Sequence, residues 1–289
     1  MRLPFGNVLR RIAAVVLPES IKGPLRGRLY GYRAATRSLP HSVVPAPGGF
    51  LATIGTLAPL WLPTDSKASL DFHLESNGES VDELAGLVTM APDHRCFWDV
   101  GASDGLFSAI FCAASPHGQA VAYEPVPALA ARTREMLERN GFGSRVTVRE
   151  LALGRSKGER SASLAAGEML STHAAKGPGD ATFSFSTLDH ELAHHPAPDL
   201  VKVDVEGFEL EVLQGAEQLL AQHRPTLMLE IHVDLIRWSG GQLRDIADLL
   251  ARHRYECRAV DGTRLSMHEV SHHSAGVFRL VATPAERAP

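Results

Sequence analysis

Charged residues sit where an apolar sequence has little room for them. In Asp199-Leu200-Val201-Lys202-Val203-Asp204-Val205-Glu206-Gly207-Phe208-Glu209, the charges alternate with apolar residues. As a strand, this run places Lys202, Asp204 and Glu206 on one side, and a charge inside a sheet is costly unless paired or functional. Further on, Leu229-Glu230-Ile231-His232 ends another apolar run with an acid and an imidazole. If both runs are neighbouring parallel strands, Asp204, Glu206, Glu230 and His232 converge at the carboxyl edge, where open α/β sheets bind ligands. His232, with an ordinary pKa near ~6.5, is then a candidate general base, and Asp204 and Glu206 are candidate partners in proton transfer. The alternative is a network of paired charges bracing the sheet. The four side chains also offer oxygen and nitrogen donors to a metal, but their spacing demands none and none is expected.

A second candidate is the loop in Phe97-Trp98-Asp99-Val100-Gly101-Ala102-Ser103-Asp104-Gly105. Gly101 and Gly105 allow a sharp turn and close backbone approach to a ligand, and the helix that follows presents free N–H groups. A dinucleotide loop has Gly-x-Gly-x-x-Gly; here the middle glycine is absent and Asp104 would repel a pyrophosphate. A ligand with an aminoacyl end fits better, with Asp99 reaching its ammonium or bracing the loop. Glu124 ends the next strand about twenty residues on, where an acid accepts ribose hydroxyls. After a third strand the chain at Glu150-Leu151-Ala152 passes the expected adenine position. Candidate cofactor contacts are therefore Asp99, Gly101, Ala102, Asp104, Gly105, Glu124 and Leu151.

From Cys96 on, apolar runs alternate with amphipathic ones. Strands are expected at Cys96–Val100, Ala120–Tyr123, Val146–Arg149, Thr182–Phe185, Leu200–Val205 and Thr226–Ile231. Helices are expected over Leu106–Ala114, from Pro127 to Asn140, over Phe208–Gln222 and from Gln242 to His253. Such alternation predicts an α/β fold with a mostly parallel sheet and helices on both faces. Tyr255–Val260 and Gly276–Thr283 have no helix read between them and predict an antiparallel hairpin on the sheet edge. The polar stretch from Gly154 to Asp180, with Ser171, Thr172 and His173, interrupts the alternation as a lid, an acceptor wall or an irregular insertion. Upstream, residues 1–48 read as a basic arm closed by a linker at Pro45, Pro47, Gly48 and Gly49. Residues 49–95 read as accessory strands (Leu60–Leu62, Leu70–Leu74) and a helix (Val81–Met90) leading into a core at 96–289.

The chain has 289 residues, 44% of them hydrophobic, and a net charge of -4, which gives no general attraction to nucleic acid. Cys96, Cys112 and Cys257 are odd in number and widely spaced, as expected for buried residues in a reducing cytoplasm. No apolar run is long enough to span a bilayer, while the basic N-terminus is a candidate for peripheral contact with an acidic surface.

Several motifs occur in order: Phe97-Trp98-Asp99-Val100-Gly101-Ala102, Tyr123-Glu124-Pro125, Ala152-Leu153-Gly154, Thr187-Leu188-Asp189, Lys202-Val203-Asp204-Val205-Glu206-Gly207 with Glu209, and Leu213-Gln214-Gly215-Ala216. Together they resemble the FkbM family of S-adenosylmethionine-dependent methyltransferases, over roughly residues 96 to 283. The family often has asparagine near Ser103 and Asp104, a departure here. The resemblance implies a class I methyltransferase fold, S-adenosyl-L-methionine as cofactor, and O-methylation of a hydroxyl on a sugar, glycolipid or secondary metabolite. Two alternatives stand beside it: a nicotinamide-dependent oxidoreductase on a Rossmann sheet, and a non-catalytic module of the same fold.

Overall fold

The computed structural model describes residues 39–75, 79–165, 169–171 and 181–285. Most of the expected basic arm (residues 1–38), together with Thr172 and His173, lies outside them. The first described elements are the antiparallel strands β1 (His41–Ala46), β2 (Gly49–Ile54) and β3 (Leu60–Pro63). The expected linker is the tip of their first hairpin, with Gly48 in the left-handed region at φ 72°. Helices α1 (Lys67–Glu75) and α2 (Glu79–Met90) follow. Residues 70–74 are thus helical rather than a strand. Leu70 and Leu74, which fit a strand's alternation, are also one helical turn apart, and both bury in the core.

The regular region contains β4 (Cys96–Val100), α3 (Leu106–Ala114), β5 (Gln119–Tyr123), α4 (Pro127–Arg139) and β6 (Val146–Arg149). Next come β7 (Ala152–Leu153), β8 (Gly158–Ala165), β9 (Met169–Ser171) and β10 (Ala181–Ser186), a four-stranded sheet in the order β7-β10-β8-β9. The stretch after Gly154 therefore carries strands where an irregular segment was one expectation. The chain continues through α5 (Leu188–Glu191), β11 (Leu200–Val203), α6 (Glu209–Gln214), β12 (Thr226–His232), α7 (Val233–Trp238), α8 (Leu243–Arg252), β13 (Tyr255–Ala259), β14 (Arg264–Leu265), α9 (Met267–Ser271) and β15 (Val277–Pro284).

The central sheet has the order β14-β13-β15-β12-β11-β4-β5-β6. Strands β6, β5, β4, β11 and β12 are parallel, and β15 enters antiparallel between β12 and β13. This is the mostly parallel sheet that the sequence predicts, with antiparallel pairing confined to its C-terminal side. The simple edge hairpin expected at the C-terminus needs correction: β14 and α9 intervene, and β15 lies inside the sheet. The helix expected over 208–222 is broken: helical turns return at Leu219–His223, but α6 itself ends at Gln214. Gly215 follows, where a Cβ would come within 2.2 Å of the Gly154 carbonyl oxygen.

Alternating residues feed two cores, one per face of the sheet. Trp98, Val100, Val121 and Tyr123 join one; Phe97, Ala120, Ala122, Leu200 and Met228 join the other, together with β2, β3, α1 and α2. Chain order reverses between β4 and β11, which opens a crevice above their carboxyl ends. No helix among the described residues is long and apolar enough to cross a membrane. Cys96, Cys112 and Cys257 are buried free thiols.

Candidate active site

Two loops meet in that crevice. Gly101 N–H and Ala102 N–H both donate to Tyr123 O at 3.0 Å, folding the first loop over β5. Gly101 is at φ 83°, and a Cβ there would lie 1.9 Å from the Asp204 carbonyl oxygen. Glycine is required because the second loop passes against it. Ser103 is left-handed at φ 51°, a conformation an asparagine adopts more readily. It is held by two neighbours: its N–H donates to Glu124 Oε2 (2.8 Å) and its carbonyl accepts from Thr133 Oγ1 (2.9 Å). Glu124 Oε1 accepts from Val126 N–H (2.8 Å), so each carboxylate oxygen holds one backbone donor and keeps a lone pair. Burial pushes Glu124 up to about 7 against the pull of those donors.

Asp99 takes the bracing option. It is buried, accepts from Ser108 Oγ of α3 (2.7 Å), and is pushed up by burial to about 6. Asp104 is buried beside Ser66 and Ser69, and accepts from Leu106 N–H (3.3 Å) at the start of α3. Ala102 is buried and Leu151 is half-buried against the first core. Gly105, at φ 79°, abuts Thr133.

The second loop starts sooner than its alternation suggests. β11 stops at Val203, so Glu206 is not on a strand face; it is left-handed at φ 51°, followed by Gly207 at φ 101°. A glutamate in that conformation stores roughly 1–3 kcal/mol of strain, held by its surroundings. Lys202, 2% exposed, donates to Asp204 Oδ2 (2.8 Å), and its ammonium lies 4.3 Å from the centre of the Phe107 ring. Despite burial, Lys202 holds Asp204 down to about 2.

On β12 both expected side chains reach the crevice. His232 Nδ1 is 2.8 Å from Glu209 Oε1, and Nε2 is 3.1 Å from Glu206 Oε2 and 3.8 Å from Glu230 Oε1. Burial opposes its charged form, yet Glu206 and Glu209 raise its pKa well above the usual imidazole value. Glu230 binds Arg279 of β15 through both Nε (3.0 Å) and Nη2, and Arg279 Nε also reaches Glu83 of α2 (3.2 Å). Burial, with Asp204 repelling, pushes Glu230 up to about 8. The donor atoms of Asp204, Glu230 and His232 lie within 4.8 Å of one another. Lys202, Arg279 and Glu206 also engage these three side chains.

Residues 99–257 match the Methyltransferase FkbM domain. The chain belongs to the FkbM methyltransferase family. It is 31% identical over 172 residues to the hexuronic acid methyltransferase AglP of Haloferax volcanii, covering 59% of this chain and 67% of that one. Among solved structures, methyltransferase FkbM from Methylobacillus flagellatus is 20% identical with a TM-score of 0.44. That match covers 66% of this chain, which spans 44% of the other protein's length. An O-methyltransferase from Bacillus cereus in complex with SAH is 14% identical with a TM-score of 0.45, over 76% and 87% of the two chains.

For this FkbM-family methyltransferase the nicotinamide alternative falls away. Asp204, Glu206, Glu230 and His232 do converge, while Asp99 turns inward to α3. Glu209, Arg279, Glu83 and His73 are charged or titratable neighbours absent from the candidate set. Arg279 had a signal, a lone charge inside the apolar run Val277-Phe278-Arg279-Leu280-Val281. Glu209 showed only as part of the motif. His73, pushed down to about 3 by burial beside Lys202 and Arg279, had none, because α1 reaches the site only through tertiary packing.

Proposed function

We propose that this family member is an S-adenosylmethionine-dependent O-methyltransferase whose acceptor is a hydroxyl on a sugar, glycolipid or secondary metabolite. The observation that carries the reading is the charge inventory of the crevice. Among the described residues, Glu124, Asp204, Glu206, Glu209 and Glu230 gather there with Lys202, Arg279 and His232 as their cationic neighbours, and Asp99 and Asp104 add two more buried carboxyls behind the glycine loop. Burial raises Asp99, Asp104, Glu124, Glu206 and Glu230 above their ordinary values. A ligand bearing a sulfonium and an ammonium supplies the missing positive charge, and the free lone pairs of Glu124 suit two ribose hydroxyls. When bound, S-adenosylmethionine provides an electrophilic methyl carbon next to the acceptor.

The chain's own residues have three tasks. The loop from Gly101 to Gly105 and Glu124 orient the cofactor; Leu151 lies toward its adenine. The crevice walls align the acceptor oxygen and exclude water, which supplies much of the rate in a displacement of this kind. As the oxygen–carbon bond forms and the sulfur–carbon bond breaks, the hydroxyl proton passes to the Glu206–His232 pair, with Asp204 beside it. A carboxylate acceptor would meet Asp204, Glu206 and Glu230 at close range, which favours a neutral hydroxyl. The name of the AglP relative points to sugars, and a hexuronic acid offers hydroxyls as well as a carboxylate. The free cysteines suit a cytoplasmic setting.

The test is transfer of labelled methyl from S-adenosylmethionine to hexose and hexuronic acid glycosides and to native extract. Label stable to mild alkali marks an ether and supports the reading. Alkali-labile label marks an ester and overturns it, as does transfer to no hydroxyl acceptor.

A further inference from the structure

Behind the Glu206–His232 pair stands a third group that the sequence did not assign. Accessible surface falls stepwise along the row: the Glu206 side chain is 34% exposed, that of His232 8%, and that of Glu209 0%. Glu209 Oε1 accepts from Gly207 N–H (3.0 Å) and faces His232 Nδ1 at 2.8 Å. An oxygen accepting from a backbone amide offers the ring a lone pair, so the ring nitrogen facing it carries the proton. Nε2 is then the nitrogen turned to Glu206. The other oxygen of Glu209 is buried without a hydrogen-bond partner.

We propose that Glu209 is a positioning residue that fixes His232 with Nδ1–H inward and Nε2 toward Glu206, so that a proton arriving at Glu206 is shared with the ring. The proposal rests on the O-methyltransferase reading for the origin of that proton. Its balance is simple: the acceptor hydroxyl loses the proton, the acceptor oxygen gains the methyl group, and the pair gains one proton that later leaves to solvent through half-buried Glu206. The competent state is therefore the pair without its shared proton. Glu209 keeps the ring oriented in that state by accepting Nδ1–H. It also raises the ring's affinity for a proton, alongside Glu206 and Asp204; Lys202 balances Asp204, and Arg279 balances Glu230, whose carboxylate lies 3.8 Å from the ring.

A purely structural Glu209 would hold Gly207 N–H and nothing more, and ring titration tells the two roles apart. The full chain with nitrogen-labelled histidine is followed by NMR against pH without cofactor or acceptor, as wild type and as Glu209→Gln. The wild-type His232 ring is expected to keep Nδ1 protonated throughout and to lose its proton well above ~6.5. In Glu209→Gln that titration is expected to fall by roughly one to three pH units, the effect of removing a contacting opposite charge. The rising limb of the rate–pH profile should move down with it, with a lower plateau, while S-adenosylmethionine affinity by calorimetry stays within about twofold. An unchanged His232 titration in the variant overturns the proposal. So does a neutral wild-type ring with Nδ1 bare, which decides the matter even if the variant does not fold. Because the ring is read without substrates, this result is independent of whether methyl transfer is observed.

Discussion

Replacing Glu124 with glutamine tests the cofactor half of the site, and the structure sets the size of the effect. Both carboxylate oxygens accept backbone N–H groups at 2.8 Å, one from Ser103 and one from Val126. A glutamine has one oxygen and one NH2, so either orientation sets a donor against a backbone donor. One buried N–H loses its acceptor, costing about 1–3 kcal/mol of stability. Loss of the charged acceptor for a ribose hydroxyl costs roughly 1.5–3 kcal/mol of binding, or about 10- to 150-fold in Kd. The pH dependence is more diagnostic. Burial holds Glu124 at about 7, and ribose hydroxyls donate to its ionised form. Affinity for S-adenosylmethionine should therefore rise with pH and level off above about 7, whereas Glu124→Gln should be flat over the same range. Calorimetry from pH 5.5 to 8.5 checks both. A variant within twofold of wild type, or a flat wild-type profile, refutes the placement of the ribose at Glu124.

Three further outcomes follow from the buried charges and the loop contact. Lys202→Met strands Asp204, with Glu83, Glu230 and Asp99 nearby, and should cost about 3–5 kcal/mol in urea unfolding; a loss under 1 kcal/mol would mean those charges have other compensation. Burial lifts Asp99 to about 6, Glu124 to about 7 and Glu230 to about 8, so between pH ~4 and 8 the folded chain holds protons the unfolded chain has released. His232, also raised, acts in the same direction, and stability should fall as pH rises from 6 to 8.5; a urea midpoint that climbs over that range contradicts this. Asp204, held at about 2, should lose its stabilising share only in acid as pH drops toward 2. Gly101→Ala places a Cβ 1.9 Å from the Asp204 carbonyl oxygen at φ 83°, so melting temperature and cofactor binding should both drop, and unaltered melting would show that the two loops do not meet as described.

Local patterning was sufficient wherever a residue's role is set by its neighbours in sequence. Helix α3 spans Leu106–Ala114 as expected, β4 and β6 keep their expected bounds, and the left-handed or tightly packed glycines Gly101, Gly105 and Gly207 sit in the motifs. The convergence of Asp204, Glu206, Glu230 and His232 was legible because parallel strands end at a common edge. Short or ambiguous patterns gave less. Leu70 and Leu74 suit a strand or a helix, and only their burial with α2 and α3 selects the helix. Gly215, just past α6, must lack a side chain because the Gly154 carbonyl, some sixty positions away in sequence, packs against it.

Sequence by itself determined the strand–helix alternation from β4 to β6, the glycine-mediated turn after β4, and the acids and imidazole available at the sheet edge. These follow from periodicity and from backbone conformations that few residues tolerate. Tertiary structure alone decided how those charges are partnered. Arg279 reaches Glu230 because β15 inserts beside β12, and Glu83 joins them because α2 packs against β15. Glu206 reaches His232 because β11 ends two residues early and its loop turns left-handed. Which carboxylate meets which cation depends on burial and distances of a few ångströms across chain separations of up to about two hundred residues, and no local pattern encodes it.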